Sequence, residues 1–126
     1  HLLLAEDNEL NAEIAARLLN DEGATVQVVR DGQQAIDAFA SRPQGTYDAI
    51  LMDIMMPKID GYTATRVIRS TNRQDAKTIP IIAMTAHVFD EDVKQCLEAG
   101  MNAHLPKPLQ MEKVVSTIAR LCKRKK

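Results

Sequence analysis

The sequence has few aromatic residues and almost no net charge. Phenylalanine and tyrosine occur twice each, tryptophan is absent, and 16 basic residues stand against 17 acidic ones, which gives a formal net charge of −1. A nucleic-acid-binding surface needs a basic patch and usually stacking rings, so we exclude direct DNA or RNA binding by this segment. The one basic run, residues 123–126, is more typical of a solvated helix end or a tether.

The sequence also has few cysteines and no long apolar run. Cys96 and Cys122 lack CxxC spacing and nearby metal ligands, which predicts free thiols in a reducing cytosol. No signal peptide is visible, and every apolar run falls short of the roughly 20 residues that a membrane span needs. We therefore expect a cytoplasmic domain without direct membrane contact, compatible with a parent protein anchored in the membrane.

The length of 126 residues predicts one domain with a buried core. Because the chain opens at Leu2, almost inside its first predicted strand, we expect residues 1–126 to be a single domain excised from a longer protein.

Short apolar segments alternate with segments of helical spacing along the whole chain. Apolar rather than alternating strands predict a parallel sheet with helices on both faces. The short right-handed connections favour a flavodoxin-like (βα)5 three-layer sandwich, an α/β fold with five parallel strands in the order 2-1-3-4-5. The predicted strands are residues 2–5, 25–29, 47–52, 79–84 and 103–105, each followed by one of five predicted helices.

Acidic residues follow two of these strands. Glu6 and Asp7 close the first strand, and Asp53 closes the third. In the expected strand order these two strands are neighbours, so the three carboxylates converge at the carboxyl edge of the sheet. Such a cluster repels itself unless it takes up protons or a hard divalent cation, and oxygen ligands favour Mg²⁺ or Mn²⁺ over zinc. Asp7 or the adjacent Asn8 can also cap the first helix.

Two further polar residues end strands on the same side. Thr85 follows the fourth strand, and Lys107 follows the fifth, between two prolines. A hydroxyl, an ammonium group, a metal ion and a free carboxylate together suit the binding of a phosphoryl group. In this interpretation Asp53 is the nucleophile, and Thr85 and Lys107 bind the phosphoryl oxygens.

These motifs, in this order, resemble the receiver domain of two-component response regulators over essentially the whole chain. Residues 4–11 and 100–105 look most like the receivers of hybrid sensor histidine kinases. The motifs that carry the resemblance are Glu6-Asp7, Asp53 with the following Ile54-Met55-Met56-Pro57, Asp60-Gly61, Thr85-Ala86 and Lys107-Pro108.

The resemblance implies a role for each residue of the site. Asp53 would be the phosphoacceptor, Asp7 would bind the metal directly, and Glu6 would bind it through a water molecule. The backbone carbonyl of Met55 would complete the protein ligands. Thr85 and Lys107 would hold the phosphoryl oxygens, and the resemblance implies a cis Lys107-Pro108 bond.

Two positions depart from the commonest family pattern. The first acid is Glu6 rather than aspartate, a longer side chain that still reaches a metal-bound water. His104 stands where many members carry the tyrosine or phenylalanine that turns inward on activation. We therefore expect Thr85 and His104 to form the switch, with a shallower movement than that of a larger ring. The alternative is that His104 only packs.

The predicted function is that of a phosphoacceptor in a two-component phosphorelay. Phosphohistidine on a histidine kinase or a histidine phosphotransfer domain would be the donor, and the domain would have only weak self-phosphorylation and self-dephosphorylation activity. A hybrid sensor histidine kinase is the expected parent, with a stand-alone response regulator as the alternative. A haloacid dehalogenase-type phosphatase is less favoured, because that family needs a second acid where Met55 stands. A degenerate receiver that only binds proteins is disfavoured, since no phosphorylation residue is missing.

Overall fold

The structure is a computed structural model that describes residues 1–43, 46–54, 59–71, 75–85, 90–106 and 110–122. Five parallel strands form one sheet in the order β2-β1-β3-β4-β5, which confirms the predicted fold class and strand order. The strands are β1 (Leu2–Ala5), β2 (Val26–Val29), β3 (Ala49–Asp53), β4 (Ile81–Thr85) and β5 (Ala103–Pro106).

Helices connect these strands and form the outer layers. In the described part of the chain they are α1 (Glu9–Asp21), α2 (Gly32–Ser41), α3 (Gly61–Ser70), α4 (Asp75–Thr78), α5 (Asp90–Ala99) and α6 (Met111–Cys122). The prediction of five helices was wrong by one, because α4 is a single turn of four residues and too short to show an apolar period. Across the described ranges, every helix is too short or too polar to cross a bilayer.

Alternate residues of the strands enter two separate hydrophobic cores. Leu3 and Ala5 face the core covered by α2, α3, α4 and α5, where Phe39 and the buried thiol of Cys96 also pack. Leu2 and Leu4 face the core covered by α1 and α6. The sheet is therefore buried on both faces, as the unbroken apolar character of its strands predicts. The side chain of Cys122 lies outside the described part.

Helix α1 packs against the sheet mainly through small residues, and several of its larger apolar residues are exposed to solvent. Ala12, Ala15 and Leu19 face the sheet. The residues Leu10, Ile14 and Leu18 form a second stripe at a spacing of four and are 64%, 50% and 36% exposed. The helix is predicted correctly from the helical spacing of Leu10, Ile14, Leu18 and Leu19, but of these four residues only Leu19 is buried.

Helix α2 begins against the loop that leads into α3. A Cβ atom on Gly32, the first residue of α2, would lie 2.2 Å from the carbonyl oxygen of Ile59. The preceding residue, Asp31, is the N-cap, and its side chain accepts a hydrogen bond of 2.8 Å from the backbone N–H of Gln34. The position thus needs glycine for space, because the obstructing atom belongs to backbone.

We expect Gly32→Ala to lower the free energy of unfolding by about 1–3 kcal/mol, because the added methyl group forces two backbone segments apart. The direction of the change in the free energy of unfolding is informative, because Ala in the interior of an unobstructed helix is favoured over Gly by about 1 kcal/mol. Urea denaturation followed by circular dichroism measures the change. Gln33→Ala, at the next, exposed position, is the control and should change stability by no more than about 0.5 kcal/mol. Unchanged or increased stability in Gly32→Ala would contradict the close contact.

Candidate functional site

The three predicted carboxylates meet at the carboxyl edge of the sheet. Strands β1 and β3 are parallel neighbours in which Ala5 pairs with Met52, so Glu6 and Asp53 follow at the same level. One carboxylate oxygen from each of Glu6, Asp7 and Asp53 lies within 4.8 Å of the others. The convergence predicted from two strand ends is therefore present in the structure.

Burial makes this cluster electrostatically demanding. Glu6 and Asp53 are each only 2% exposed, whereas Asp7 reaches the surface. At an effective dielectric constant near 20, two unit charges at about 5 Å repel by about 3 kcal/mol. A divalent cation between the carboxylates attracts each of them and makes the net electrostatic energy of the cluster favourable. Three oxygen donors, of which one is solvent-exposed, suit Mg²⁺ with part of its water shell retained. The residues present therefore fit the predicted metal ion.

The backbone around each acid is held by neighbouring elements. The N–H of Glu6 donates to the carbonyl of Val29 at 3.0 Å, which extends the pairing of β1 with β2 by one residue. Asn8 is the N-cap of α1, and its side chain accepts from the N–H of Asn11 at 2.9 Å. Of the two residues predicted as possible caps, the structure thus uses Asn8, and the carboxylate of Asp7 belongs to the acid cluster.

The start of α3 lies directly against the backbone of Asp53. The N–H of Gly61 donates to the carbonyl of Ile54 at 2.9 Å, and a Cβ atom on Gly61 would lie 2.5 Å from the carbonyl oxygen of Asp53. Asp60 caps the helix by accepting from the N–H of Thr63 at 2.8 Å. The Asp60-Gly61 motif, which the sequence showed only as part of the family resemblance, therefore fixes the chain beside the candidate nucleophile.

The remaining predicted site residues are described to different extents. Thr85 is the last residue of β4 and pairs with Pro106 of β5, immediately before Lys107. Strand β4 in turn adjoins β3, where Met84 pairs with Asp53. The backbone thus brings Thr85 to the correct edge, but its side chain, Lys107, the Lys107-Pro108 bond and Met55 lie outside what the structure describes.

His104 lies in β5 opposite Ala83, away from the acid cluster. It is half-buried and lines a cavity of about 280 Å³ between α5 and α6, together with Cys96, Met101 and Thr117. This position agrees with the packing role that we gave as its alternative. The coupled movement of Thr85 and His104 stays a prediction.

The family model described as the response regulator receiver domain matches residues 2–119. The chain belongs to this family, the class of domains that act in two-component phosphorelays, as its sequence motifs predicted.

Several of the relatives that match the chain are histidine kinases. Histidine kinase 1 of Arabidopsis thaliana is 38% identical over 97% of the chain, and the osmosensing histidine protein kinase SLN1 of Saccharomyces cerevisiae is 39% identical over 96%. The chain spans only 13% and 10% of the lengths of these two kinases. It is thus similar to one domain of each.

Solved structures show the same fold. The receiver domain of sensor histidine kinase PA1611 from Pseudomonas aeruginosa is 40% identical with a TM-score of 0.85, covers 97% of this chain and 96% of its own, and contains a magnesium ion in its active-site cleft. The receiver of Saccharomyces cerevisiae Ssk1, crystallised with the histidine phosphotransfer protein Ypd1, is 25% identical with a TM-score of 0.86 and covers 98% of this chain and 89% of its own.

We expect Asp7→Asn to weaken Mg²⁺ binding by at least about tenfold, because the substitution removes a charged oxygen donor from the cluster. Isothermal titration with MgCl₂ measures the affinity. Asp21→Asn is the control, since Asp21 is also an exposed acid but lies at the far end of α1. Equal affinities for Asp7→Asn and the unmodified domain would show that Asp7 is not a ligand.

Proposed function

We propose that Asp53 accepts a phosphoryl group from phosphohistidine, which makes this domain a phosphoacceptor in a phosphorelay. The observation that carries the proposal is the buried Asp53 carboxylate at the end of β3, held within 4.8 Å of two further acids. Glu6, Asp7, Asp53 and the backbone carbonyl of Met55 would hold Mg²⁺, or Mn²⁺ in its place. When bound, this ion supplies positive charge to the phosphoryl oxygens as the transition state forms.

In the transfer step, a carboxylate oxygen of Asp53 attacks the phosphorus atom of the phosphohistidine. An acyl phosphate bond forms at Asp53 while the P–N bond to the donor imidazole breaks, and its electron pair returns to the ring nitrogen, which takes up a proton. Thr85 and Lys107 would bind the transferred oxygens from the ends of β4 and β5. The order of the strands supports this, because both residues follow strands on the same side of Asp53.

Asp53→Asn should remove phosphorylation by a small donor. Incubation of the unmodified domain with acetyl phosphate and MgCl₂ should add one phosphoryl group, detected by intact-mass spectrometry, because the site needs no kinase for the chemical step. Asp48→Asn is the control, an exposed acid whose carboxylate pairs with the amino terminus at the opposite end of the sheet. An adduct that persists in Asp53→Asn would assign the phosphoacceptor to another residue.

We propose further that the donor is a histidine phosphotransfer domain or a histidine kinase, and that it docks on the apolar stripe of α1. The stripe, defined by Leu10, Ile14 and Leu18, begins three residues after Asp7 and runs for about 12 Å along the helix. Charged residues flank it, with Arg17 Nη2 lying 3.7 Å from Glu13 Oε1. An apolar centre with a polar rim is the usual composition of a protein interface.

The position of this surface suits phosphoryl transfer. A partner seated on α1 lies beside the acid cluster, because α1 starts immediately after Asp7 and its cap Asn8. The co-crystal of the Ssk1 receiver with Ypd1 supports a histidine phosphotransfer protein as the partner class. A hybrid histidine kinase as the parent, and a cytoplasmic location, belong to the same proposal. The similarity to the two kinases supports this parent over a stand-alone regulator.

Leu10→Ala should weaken docking without affecting the chemistry. Truncating the leucine at the end of the stripe nearest the acid cluster is expected to reduce affinity for Ypd1 by about tenfold, a loss near 1.4 kcal/mol, while phosphorylation by acetyl phosphate is unchanged. Leu97→Ala is a matched control, because Leu97 is 62% exposed against 64% for Leu10 and lies on α5 across the sheet. Surface plasmon resonance with immobilised Ypd1 measures the affinity of both variants. Equal losses in the two variants, or none in Leu10→Ala, would contradict docking on α1.

A further inference from the structure

Arg69, in the last turn of α3, connects three segments of the fold. Its guanidinium donates from Nε to the carbonyl of Gly100 at 3.0 Å, from Nη1 to the carbonyl of Ala76 at 3.1 Å, and from Nη2 to Oδ1 of Asn102 at 2.8 Å. One side chain thus ties α3 to the short helix α4 and to the turn between α5 and β5.

The turn that receives Arg69 has a conformation suited to the contact. Gly100 has φ of +105°, which glycine adopts readily and other residues rarely do, and a Cβ atom there would lie 3.1 Å from Cγ of Arg69. The N–H groups of Gly100 and Met101 donate back to Leu97 and Cys96 and close the end of α5. The helix therefore ends with a carbonyl group bonded to Arg69.

Asn102 carries the same connection into the sheet. Its backbone N–H donates to the carbonyl of Ile81 at 2.8 Å, and its side-chain Oδ1 accepts from the N–H of Ile81 at 2.9 Å. This reciprocal pair extends the β4–β5 ladder by one residue. Since the same Oδ1 accepts from Arg69, the guanidinium is bonded to the starting ends of both strands through one amide group.

The acceptors around Arg69 are all uncharged. Among the described residues, no carboxylate lies within ion-pair distance of its guanidinium. Burial lowers the pKa of Arg69 below its ordinary value, yet a guanidinium remains protonated in proteins. Hydrogen bonds from a charged donor are roughly twice as strong as those between neutral groups, so this network resists opening.

We propose that Arg69 is a latch that fixes the C-terminal end of α5 and the start of β5 to α3, and confines movement of α5 to its N-terminal end. That end follows Thr85 along the chain, so it is the end that phosphorylation reaches first. The regulatory part rests on the proposed function, whereas the latch itself is a property of the unphosphorylated fold. Arg69 acts through other residues and is a positioning residue, remote from the reacting atoms.

Amide hydrogen exchange of the unphosphorylated domain, followed by NMR, tests the latch. In Arg69→Met we expect the amides of Gly100, Met101 and Asn102 to exchange at least about tenfold faster, because they no longer lie beneath a bonded guanidinium. The amides of Leu3 and Leu4 in the centre of the sheet report global opening and should accelerate by much less. Local acceleration that exceeds the global one supports the latch.

Matched variants separate the latch from a general effect of charge or stability. Arg66→Met removes an exposed arginine one turn earlier on α3 and should leave all these rates unchanged. Arg69→Lys keeps the charge but cannot reach three acceptors, so it should give a smaller local increase in the exchange rates. This variant replaces Arg69→Met in the experiment if Arg69→Met does not fold. Equal acceleration at residues 100–102 and in β1, or no local acceleration, would overturn the latch.

Addition of Mg²⁺ and beryllofluoride, a phosphoryl mimic, tests the regulatory part. In the unmodified domain, changes in exchange within residues 90–102 should be confined to residues 90–96 of α5, and in Arg69→Met they should extend to residues 97–102. Changes that reach residues 97–102 in the unmodified domain would overturn the confinement. Failure of beryllofluoride to bind at all would overturn the proposed function instead, while the first measurement still decides whether Arg69 is a latch.

Discussion

The parallel pairing of β1 with β3 is the constraint on which the site depends. Because Ala5 pairs with Met52, the next residues on both strands emerge at one level, and their side chains share a small volume. A shift of β1 by one residue along β3 would turn every side chain of β1 to the other core and separate Glu6 from Asp53. The two hydrophobic cores therefore fix the register, and the register fixes the spacing of the acids.

This arrangement keeps like charges together at the cost of stability. Two of the three acids are almost completely buried, and the repulsion among the carboxylates opposes folding. The strands beneath them are apolar along their whole length and supply the opposing gain from hydrophobic burial. A cation that bound only the folded cluster would therefore also stabilise the fold.

The acid cluster could be predicted because its signals are local. An apolar run followed directly by acids marks a strand end, and the rules for parallel sheets then place neighbouring strand ends at the same edge. The exposed face of α1 could not be predicted in the same way, because its leucines and its alanines both recur at helical spacing. Only the packed structure shows that Ala12, Ala15 and Leu19 face the sheet.

Other features depend on contacts between distant parts of the chain. The side chain of Arg69 bonds to three residues that lie 7, 31 and 33 positions further along the chain. No sequence pattern near Arg69 indicates these contacts. Helix α4 is too short for periodicity, and the steric need for glycine at positions 32 and 61 arises from backbone brought close only by folding. A sequence reports what each segment prefers, whereas these contacts arise from the way the segments are assembled.

The division of the sheet into two cores has a consequence for signalling. Helix α1 belongs to one layer and α5 to the other, and within the described structure a single thickness of strand lies between them. A protein docked on α1, as proposed above, would therefore leave the surface of α5 on the opposite face of the sheet uncovered.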